Sequence, residues 1–582
     1  MTEDSGNDKS WPLLHDLNDS SMNDKTRSSY HSINVNPDDT TSDDTNLSGV
    51  SLHLMTLCLA IGAGIPGIDV SICYTIMTQI GTDFQKAHLS TWIHNSYALA
   101  CLATLPIAAK LADVFGRKPI LVGLSTLFLV GSAGCGVAQS LQQIVIARAI
   151  AGFGAGGAVL MANVVIHDLV PLAKRSRYLS IMQTVQTLAV AFGSPLGGFI
   201  TDTFGWRYCF KINILPLLFN IYVYCFRLNN YHARNMRKDI NLWDQLRTID
   251  FLGVMLLTSA NVLLVMAFLF GGNTHPWSHP MILGALGGAM MAFILFVLHQ
   301  AYGTRHPMVK HTLATNRNVL IGCTGMFLAC FSNSSLYYLQ PQFFMGVLGF
   351  TTSKAGLWIM VTILALPLGS IAAGQYIRNT GYFKTFLITM SAVSAIGIGC
   401  STLWIAGKLP FHIGIALFLL LGFATGCFFV ALAMTIASDV PKSDVSSAML
   451  TQALCRFIGT TMGPAAVAAI VQSNIKVLLH KRITGPDADE LIRFIRTSIR
   501  KVYTLSPEFQ AIVADVIGQS LQRDKWDYGV CYMHVFPDQK HQSQNCQQSM
   551  SILLQNHIYS IEGRTSISLD AAYIGFRVYI CV

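Results

Sequence analysis

The stretch Ala109-Lys110-Leu111-Ala112-Asp113-Val114-Phe115-Gly116-Arg117-Lys118 interrupts an otherwise uncharged region of the chain. Residues 97–108 before it and residues 119–138 after it contain no charged side chain. Two apolar segments joined by a short turn with three cations and one carboxylate are typical of a hairpin of membrane helices. We therefore predict that this turn lies at a membrane surface.

The overall composition supports a membrane location for most of the chain. Of the 582 residues, 52% are hydrophobic and only 12% are charged, whereas soluble domains contain about 25% charged residues. The net charge of +9 is spread over short turns, which does not indicate nucleic-acid binding. Most of the fourteen cysteines lie in apolar segments without a CxxC pattern, so we interpret them as small buried residues.

Apolar segments near the ~20 residues that cross a bilayer recur after residue 50. In lipid they are expected to be helices, because a lone strand would leave its backbone groups unpaired. The predicted fold class is an all-α polytopic membrane protein with 13–14 transmembrane helices, and residues 526–582 offer only short apolar runs for the last one. The thirteen predicted segments are 52–78, 92–112, 119–138, 143–166, 178–200, 208–226, 250–271, 281–300, 318–340, 354–376, 384–405, 411–436 and 446–472.

Lysine and arginine are distributed unequally between alternate turns. With the amino terminus in the cytoplasm, the opposite turns carry only a few cations: Lys86, Arg207, Lys354 and Lys408. The cytoplasmic turns carry many more, including Arg117 and Lys118. This bias follows the positive-inside rule and places the turn at 109–118 on the cytoplasmic side.

Two sequence echoes indicate an internal repeat. The segment Gly374–Lys384 repeats the pattern of the 109–118 turn at an offset of 265 residues. Gly193-Ser-Pro195 is echoed by Gly459–Pro464 at an offset of about 270. Two matches at nearly one offset predict two six-helix pseudo-repeat halves with two central extra helices, a kind of fold that binds substrate at the midplane.

The predicted organisation begins with an acidic segment that has ten acidic and three basic residues, too polar to form a core. The segments are a disordered cytoplasmic tail at 1–50, an amino-terminal half at 51–227, a cytoplasmic linker at 228–248, the two extra helices at 249–300, a carboxy-terminal half at 318–472, a non-cytoplasmic basic amphipathic loop at 473–525 and a divergent tail at 526–582.

Asp69 is the only carboxylate well inside a predicted span. An acid in the membrane is costly and is a functional candidate by default. The preceding Gly62–Gly67 segment contains Pro66, which loosens the helix. We predict that Asp69 binds a proton or a cationic substrate; the alternative is a structural acid bonded to a neighbouring helix.

Other polar residues within the predicted spans are candidates for the same site. Arg148 requires a partner or a wet cavity, and either tunes a nearby acid or forms half of a buried pair. Asn333 and Ser334 lie about 265 residues after Asp69 and either face it across a cavity or bond back to their own helix. A role for Arg456 is left open.

The sequence does not indicate an enzyme. Gly152–Gly157 matches the letters GxGxxG, but it lies within an apolar helix without a preceding strand, so we interpret it as a helix-packing segment. No Walker A, GxSxG or HExxH motif is present. We predict no catalytic residue, no cofactor and no metal site.

Several of these motifs resemble the major facilitator superfamily, in particular its fourteen-helix drug:H+ antiporter branch. The 109–118 turn is similar to motif A, Arg148 with Gly152 to motif B, and the 193–198 segment to motif C. Asp69 resembles the first-helix acid of that branch. The 193–198 segment and Asp168-Leu-Val-Pro171 are most similar to the fungal vacuolar basic amino acid transporters.

This resemblance implies proton-coupled antiport of Lys, His or Arg across the vacuolar membrane by alternating access. It implies that Asp69 binds substrate or proton and that Arg148 assists proton transfer. The expected partners are a basic amino acid, protons and the lipid bilayer, and the expected state is a monomer. The remaining implied roles are a cytoplasmic gate at Asp113, Gly116, Arg117 and Lys118, and an antiporter packing motif at Gly193, Pro195, Gly197 and Gly198.

Two other functions stay open at this point. One is a multidrug or siderophore:H+ exporter at the plasma membrane. The other is a non-transporting nutrient sensor built on a transporter scaffold, which the long tails and the short apolar runs at the position of the last helix favour slightly.

Overall fold

The computed structural model describes a bundle of helices and, of several segments that connect them, only some residues. The predictions for the acidic tail, the linker, the divergent tail and the fourteenth helix lie outside the described residues, apart from a few positions. Most of the predicted basic loop also lies outside them, but its first ten residues, 473–482, belong to a helix. The described residues are 49–170, 172–228, 249–271, 275–304, 307–380, 386–394, 396–397, 411–440, 445–482, 513, 515–516 and 520.

A helix in the described residues lies at each of the thirteen predicted spans, with ends that differ by up to several residues, and the all-α fold class is confirmed. Ten helical segments are long and apolar enough to cross a membrane. Shorter helical segments, such as Trp206–Lys211, lie between the long ones. The thirteen are α1 Gly49–Asp83, α2 Thr91–Phe115, α3 Arg117–Val137, α4 Leu141–Leu169, α5 Leu172–Thr203, α6 Ile214–Arg227, α7 Phe251–Phe270, α8 Pro280–Leu298, α9 Arg317–Gly346, α10 Thr352–Thr380, α11 at residues 386–394, α12 Phe411–Asp439 and α13 Val445–Arg482.

The last of these helices differs from its predicted bounds. α13 continues to Arg482, beyond the predicted end of the span at residue 472. Ile475 and Leu479 are buried in the core on this extra length. Apolar burial of every fourth residue keeps the chain helical past Lys476, where the apolar run of the sequence is interrupted.

Equivalent helix crossings support the internal repeat. α4 and α12 each contain 29 residues and begin 270 residues apart. A Cβ added at Gly152 of α4 would collide with the backbone carbonyl of Tyr97 in α2, and one added at Gly422 of α12 would collide with that of Thr362 in α10. Gly152 and Gly422 are also 270 residues apart. Glycines at equivalent positions of the two halves therefore allow equivalent pairs of helices to cross closely.

The two halves meet along α5 and α10. The backbone of Ser353, at the start of α10, lies against Gly198 of α5. The Ser353 amide and hydroxyl groups both donate to Asp202 Oδ2, at 2.8 and 2.6 Å. Farther along the same helices, Gly356 lies against the carbonyl of Ser194. These contacts lie at the end of the bundle that the charge bias predicts to be non-cytoplasmic, and they close the halves against each other there.

The two central helices, α7 and α8, pack against each other. α7 packs against α8 on one side and against α2 and α13 on another. Asp250 caps α7, because its Oδ1 accepts a 2.8 Å hydrogen bond from the Gly253 amide. The same oxygen lies 2.7 Å from His299 Nε2 at the end of α8, which ties the two helices together.

Candidate functional site

The central charged site joins α1 to α4. Asp69 lies three residues after Pro66 in α1, and its Oδ2 forms an ion pair with Arg148 Nη1 of α4. Both side chains are buried, with 1% and 0% of their surfaces exposed. Asp69 Oδ1 accepts a 3.0 Å hydrogen bond from Asn213 Nδ2. The structure therefore brings two of the predicted site residues together as a buried pair.

Arg148 has further contacts that fix its orientation. Its Nε donates to the backbone carbonyl of Ile93 at 3.2 Å. Its guanidinium carbon lies 4.1 Å from the centre of the Tyr97 ring and 5.9 Å from that of Phe210, within the range of cation–π attraction. Among the described residues, its Nη2 has no hydrogen-bond partner. The guanidinium thus retains one free donor next to the carboxylate.

Glycines allow this close approach of helices. A Cβ on Gly152, one turn after Arg148, would collide with the Tyr97 carbonyl, so glycine lets α2 come close enough for Ile93 and Tyr97 to contact the guanidinium. The neighbouring glycines at 154, 156 and 157 also contact backbone or side chains of α2 and α3. The GxGxxG segment therefore acts in helix packing, as its apolar surroundings indicate.

The segment at 193–198 brings α5 against α1 and α10. A Cβ on Gly193 would lie 2.7 Å from the Ile68 carbonyl, next to Asp69, and Gly197 contacts Ile72. Gly198 and Pro195 face α10. All four residues predicted for this motif thus lie at helix contacts, Gly193 and Gly197 against α1 near Asp69 and the other two against α10.

The predicted polar patch on α9 bonds mainly within its own helix. The hydroxyls of Ser334 and Ser335 both donate to the carbonyl of Phe331, at 3.2 and 2.6 Å. Asn333 contacts the hydroxyl of Tyr337. Of the two alternatives for Ser334, the structure shows the hydroxyl bonding back to its own helix.

Sequence reasoning missed an aromatic and histidine cluster near the ion pair. The Tyr74 hydroxyl and His94 Nε2 are 3.1 Å apart and join α1 to α2. The Tyr74 ring also lies 5.6 Å from that of Tyr337, on α9 of the other half. Asn213 was missed too. The available signals were single polar residues in apolar segments, which do not show which helix they face.

The predicted cytoplasmic gate surrounds the turn between α2 and α3. Gly116 has φ of +92°, a conformation that strongly favours glycine. Arg117 Nε donates to Asp168 Oδ2 at the end of α4, 3.2 Å away, so this cation pairs within the amino-terminal half. Asp113 and Lys118 lie in the adjoining turns of α2 and α3. The gating role of these residues stays a prediction.

The remaining sequence predictions concern Arg456 and the metal site. Arg456 lies in α13 as an exposed side chain, 5.2 Å from the ring of Phe457. Within the described part of the chain, no group of three or more His, Cys, Asp or Glu residues is placed to hold a metal ion.

Curated relatives include both amino acid and drug transporters. The vacuolar membrane amino acid uptake transporter fnx2 of Schizosaccharomyces pombe is 27% identical over 478 residues, covering 81% of this chain and 81% of that protein. The multidrug resistance protein fnx1 of the same organism is 27% identical over 466 residues, covering 78% of this chain and 86% of that protein.

Solved structures show the same fold. A bacterial homologue of the human lysosomal transporter Spinster has a TM-score of 0.55 at 14% identity, covering 84% of this chain and 97% of its own. The transporter PepTSo, of the POT family, has a TM-score of 0.52 at 15% identity, covering 82% of this chain and 98% of its own. Residues 59–464 match the family model of the Major Facilitator Superfamily. The chain is therefore a multi-pass membrane transporter that belongs to the Major Facilitator Superfamily.

Proposed function

We propose that this protein is a proton-coupled antiporter that moves basic amino acids across the vacuolar membrane by alternating access. The observation that carries the proposal is the buried Asp69–Arg148 pair between α1 and α4. Ionised residues inside a membrane bundle are costly and mark substrate or ion pathways. The similarity to fnx2, whose name describes vacuolar amino acid uptake, supports the compartment and the substrate class.

The pair gives a physical reason for exchange. While Asp69 is ionised, its charge balances that of Arg148. A proton on Asp69 leaves Arg148 as an uncompensated cation, which repels a cationic substrate in surroundings of low dielectric constant. Proton and cationic substrate therefore occupy the site in turn, and this mutual exclusion is the requirement for antiport.

The pair also matches the charges of an amino acid head group. An amino acid presents one ammonium and one carboxylate on the same carbon atom. Asp69, held by Asn213, accepts hydrogen bonds from the ammonium, and the free Nη2 of Arg148 donates to the carboxylate. In this scheme the substrate opens the ion pair and replaces it with two new pairs. The basic side chain follows from the resemblance to fungal vacuolar basic amino acid transporters.

Sealed vesicles with an imposed pH gradient provide the test. The vesicles are offered labelled lysine, labelled histidine and a lipophilic dye. We expect gradient-driven lysine uptake that Asp69→Asn abolishes. The matched control is Asp83→Asn, an exposed carboxylate near the end of the same helix, which should keep uptake near the wild-type rate. Full lysine uptake by Asp69→Asn would remove Asp69 from the mechanism.

A second candidate function is export of drugs or siderophores at the plasma membrane. It is favoured by the relatives fnx1 and the efflux pump dotC of Dothistroma septosporum, which is 28% identical over 448 residues. The same vesicles separate the two functions. Dye movement without lysine or histidine movement supports the exporter and contradicts the amino acid proposal.

A further inference from the structure

One apolar layer joins three helices from different parts of the chain. Leu102 of α2, Val254 of α7 and Leu454 of α13 belong to one buried cluster. α2 comes from the amino-terminal half, α13 from the carboxy-terminal half, and α7 is one of the two extra helices. The extra hairpin therefore contacts both halves at the boundary between them.

A polar layer lies one heptad farther from the cytoplasmic side. Asn95, Asn261 and Thr461 lie seven residues from Leu102, Val254 and Leu454, respectively. Seven residues make nearly two helical turns, so each polar residue lies on the same face of its helix as the apolar one. Asn261 Nδ2 donates to Thr461 Oγ1 at 2.9 Å, which confirms this register for two of the three residues. Asn95 and Asn261 are 0% and 4% exposed.

Hydrogen bonding in this layer is incomplete. Both amide atoms of Asn95 and the Oδ1 of Asn261 have no partner among the described residues. Buried amides nearly always have partners, and each exception requires an explanation. A shift of α2 against α7 can satisfy them, because Asn95 Nδ2 can donate to Asn261 Oδ1. The second N–H of Asn261 Nδ2, whose first N–H bonds Thr461, can donate to Asn95 Oδ1.

Alternating access supplies such a shift. In repeat-built transporters one half rocks against the other around the substrate site, and α2 and α13 belong to different halves. A buried asparagine is known to select one register of packed helices at a cost in stability. The unpaired amide atoms of Asn95 and Asn261 are explained if they form hydrogen bonds with each other in the other orientation of the halves.

We propose that Asn95, Asn261 and Thr461 form a positioning layer with two registers, through which α7 biases the equilibrium between the two orientations of the halves. In the register observed here, with α5 and α10 closed at their predicted non-cytoplasmic ends, the asparagine amides are only partly paired. In the opposite orientation they pair with one another. The proposal concerns movement of the helices and does not depend on the substrate.

Hydrogen–deuterium exchange in lipid nanodiscs tests the proposal without any substrate. Asn95→Leu removes amide atoms that are unpaired here and paired in the other orientation, so it favours the observed register. Peptides covering residues 198–206 and 350–356 report opening of the α5–α10 contact. We expect their exchange to slow by about tenfold, the effect of one hydrogen bond of about 1.4 kcal/mol. Asn261→Leu should act in the same direction.

A control at Ser259 and a second variant at Asn95 make the exchange experiment interpretable. Ser259 on α7 is exposed and donates to the Met255 carbonyl of its own helix, so Ser259→Ala should leave exchange unchanged. Should the leucine variants elute as aggregates, Asn95→Ala removes the same atoms without added volume and is read in the same way. Unchanged or faster exchange in the correctly folded Asn95 variant overturns the proposal.

Discussion

Replacing Arg148 by methionine tests whether the central ion pair is buried in an apolar environment. The substitution keeps a long apolar stem and removes the charge. Asp69 then keeps its hydrogen bond from Asn213 but loses its counter-charge. Replacing both members together, as Asp69→Leu with Arg148→Met, removes the uncompensated charge as well.

The structure fixes the expected magnitude. Breaking a pair with 0% and 1% exposure leaves a buried, unpaired charge, which costs about 3–5 kcal/mol. The folded fraction relative to the unfolded fraction should fall by a factor on the order of 10²–10⁴. The double replacement should recover most of this loss, because replacing a whole buried pair with apolar residues is often neutral or stabilising.

Unfolding with increasing fractions of sodium dodecyl sulfate, followed by tryptophan fluorescence, measures the difference in free energy. Arg456→Met is the matched control, because Arg456 is an exposed arginine in α13, and its replacement should cost under about 1 kcal/mol. The reasoning is refuted if Arg148→Met unfolds at the wild-type midpoint, since the pair would then be solvated rather than buried. A double variant as unstable as the single one would equally contradict it.

Three further predictions concern packing, the cytoplasmic gate and the contact between the halves. Gly422→Val should abolish a monodisperse gel-filtration peak because its Cβ would collide with the Thr362 carbonyl, whereas Gly123→Ala, with open space around it, should not. Asp113→Asn should lower turnover more than it alters substrate range; an altered range at normal turnover would contradict a gate. Asp202→Ala removes both Ser353 hydrogen bonds and should speed amide exchange at the start of α10, and unchanged exchange would show that these bonds do not close the halves.

The positions of the helices could be predicted from the sequence because lipid imposes length and composition on every span. The end of α13 could not, because Ile475 and Leu479 are buried by tertiary contacts that the interrupted apolar run does not show. The internal repeat was visible in two weak echoes, and its structural basis is a pair of glycine crossings at Gly152 and Gly422.

The sequence predicted individual residues of the candidate site but not which of them contact each other. Asp69 and Arg148 stand out because charge inside a span is rare, but they are 79 residues apart in the chain. Their pairing depends on how α1 and α4 rotate about their axes, which is set by the close glycine contacts and not by either helix alone. Asn213 gave no signal of its own, because one amide between two helical segments is common.

The central charged residues occur in only one of the two repeat halves. The positions equivalent to Asp69 and Arg148 by the observed offsets are Ser334 and Phe418. Among the side chains of the spanning helices whose burial the structure describes, Asp69 is the only buried carboxylate. Under the proposed exchange, Asp69 carries one proton per turnover. Exchange of one lysine cation for one proton is electroneutral, so accumulation would follow the pH difference alone and be insensitive to the membrane potential.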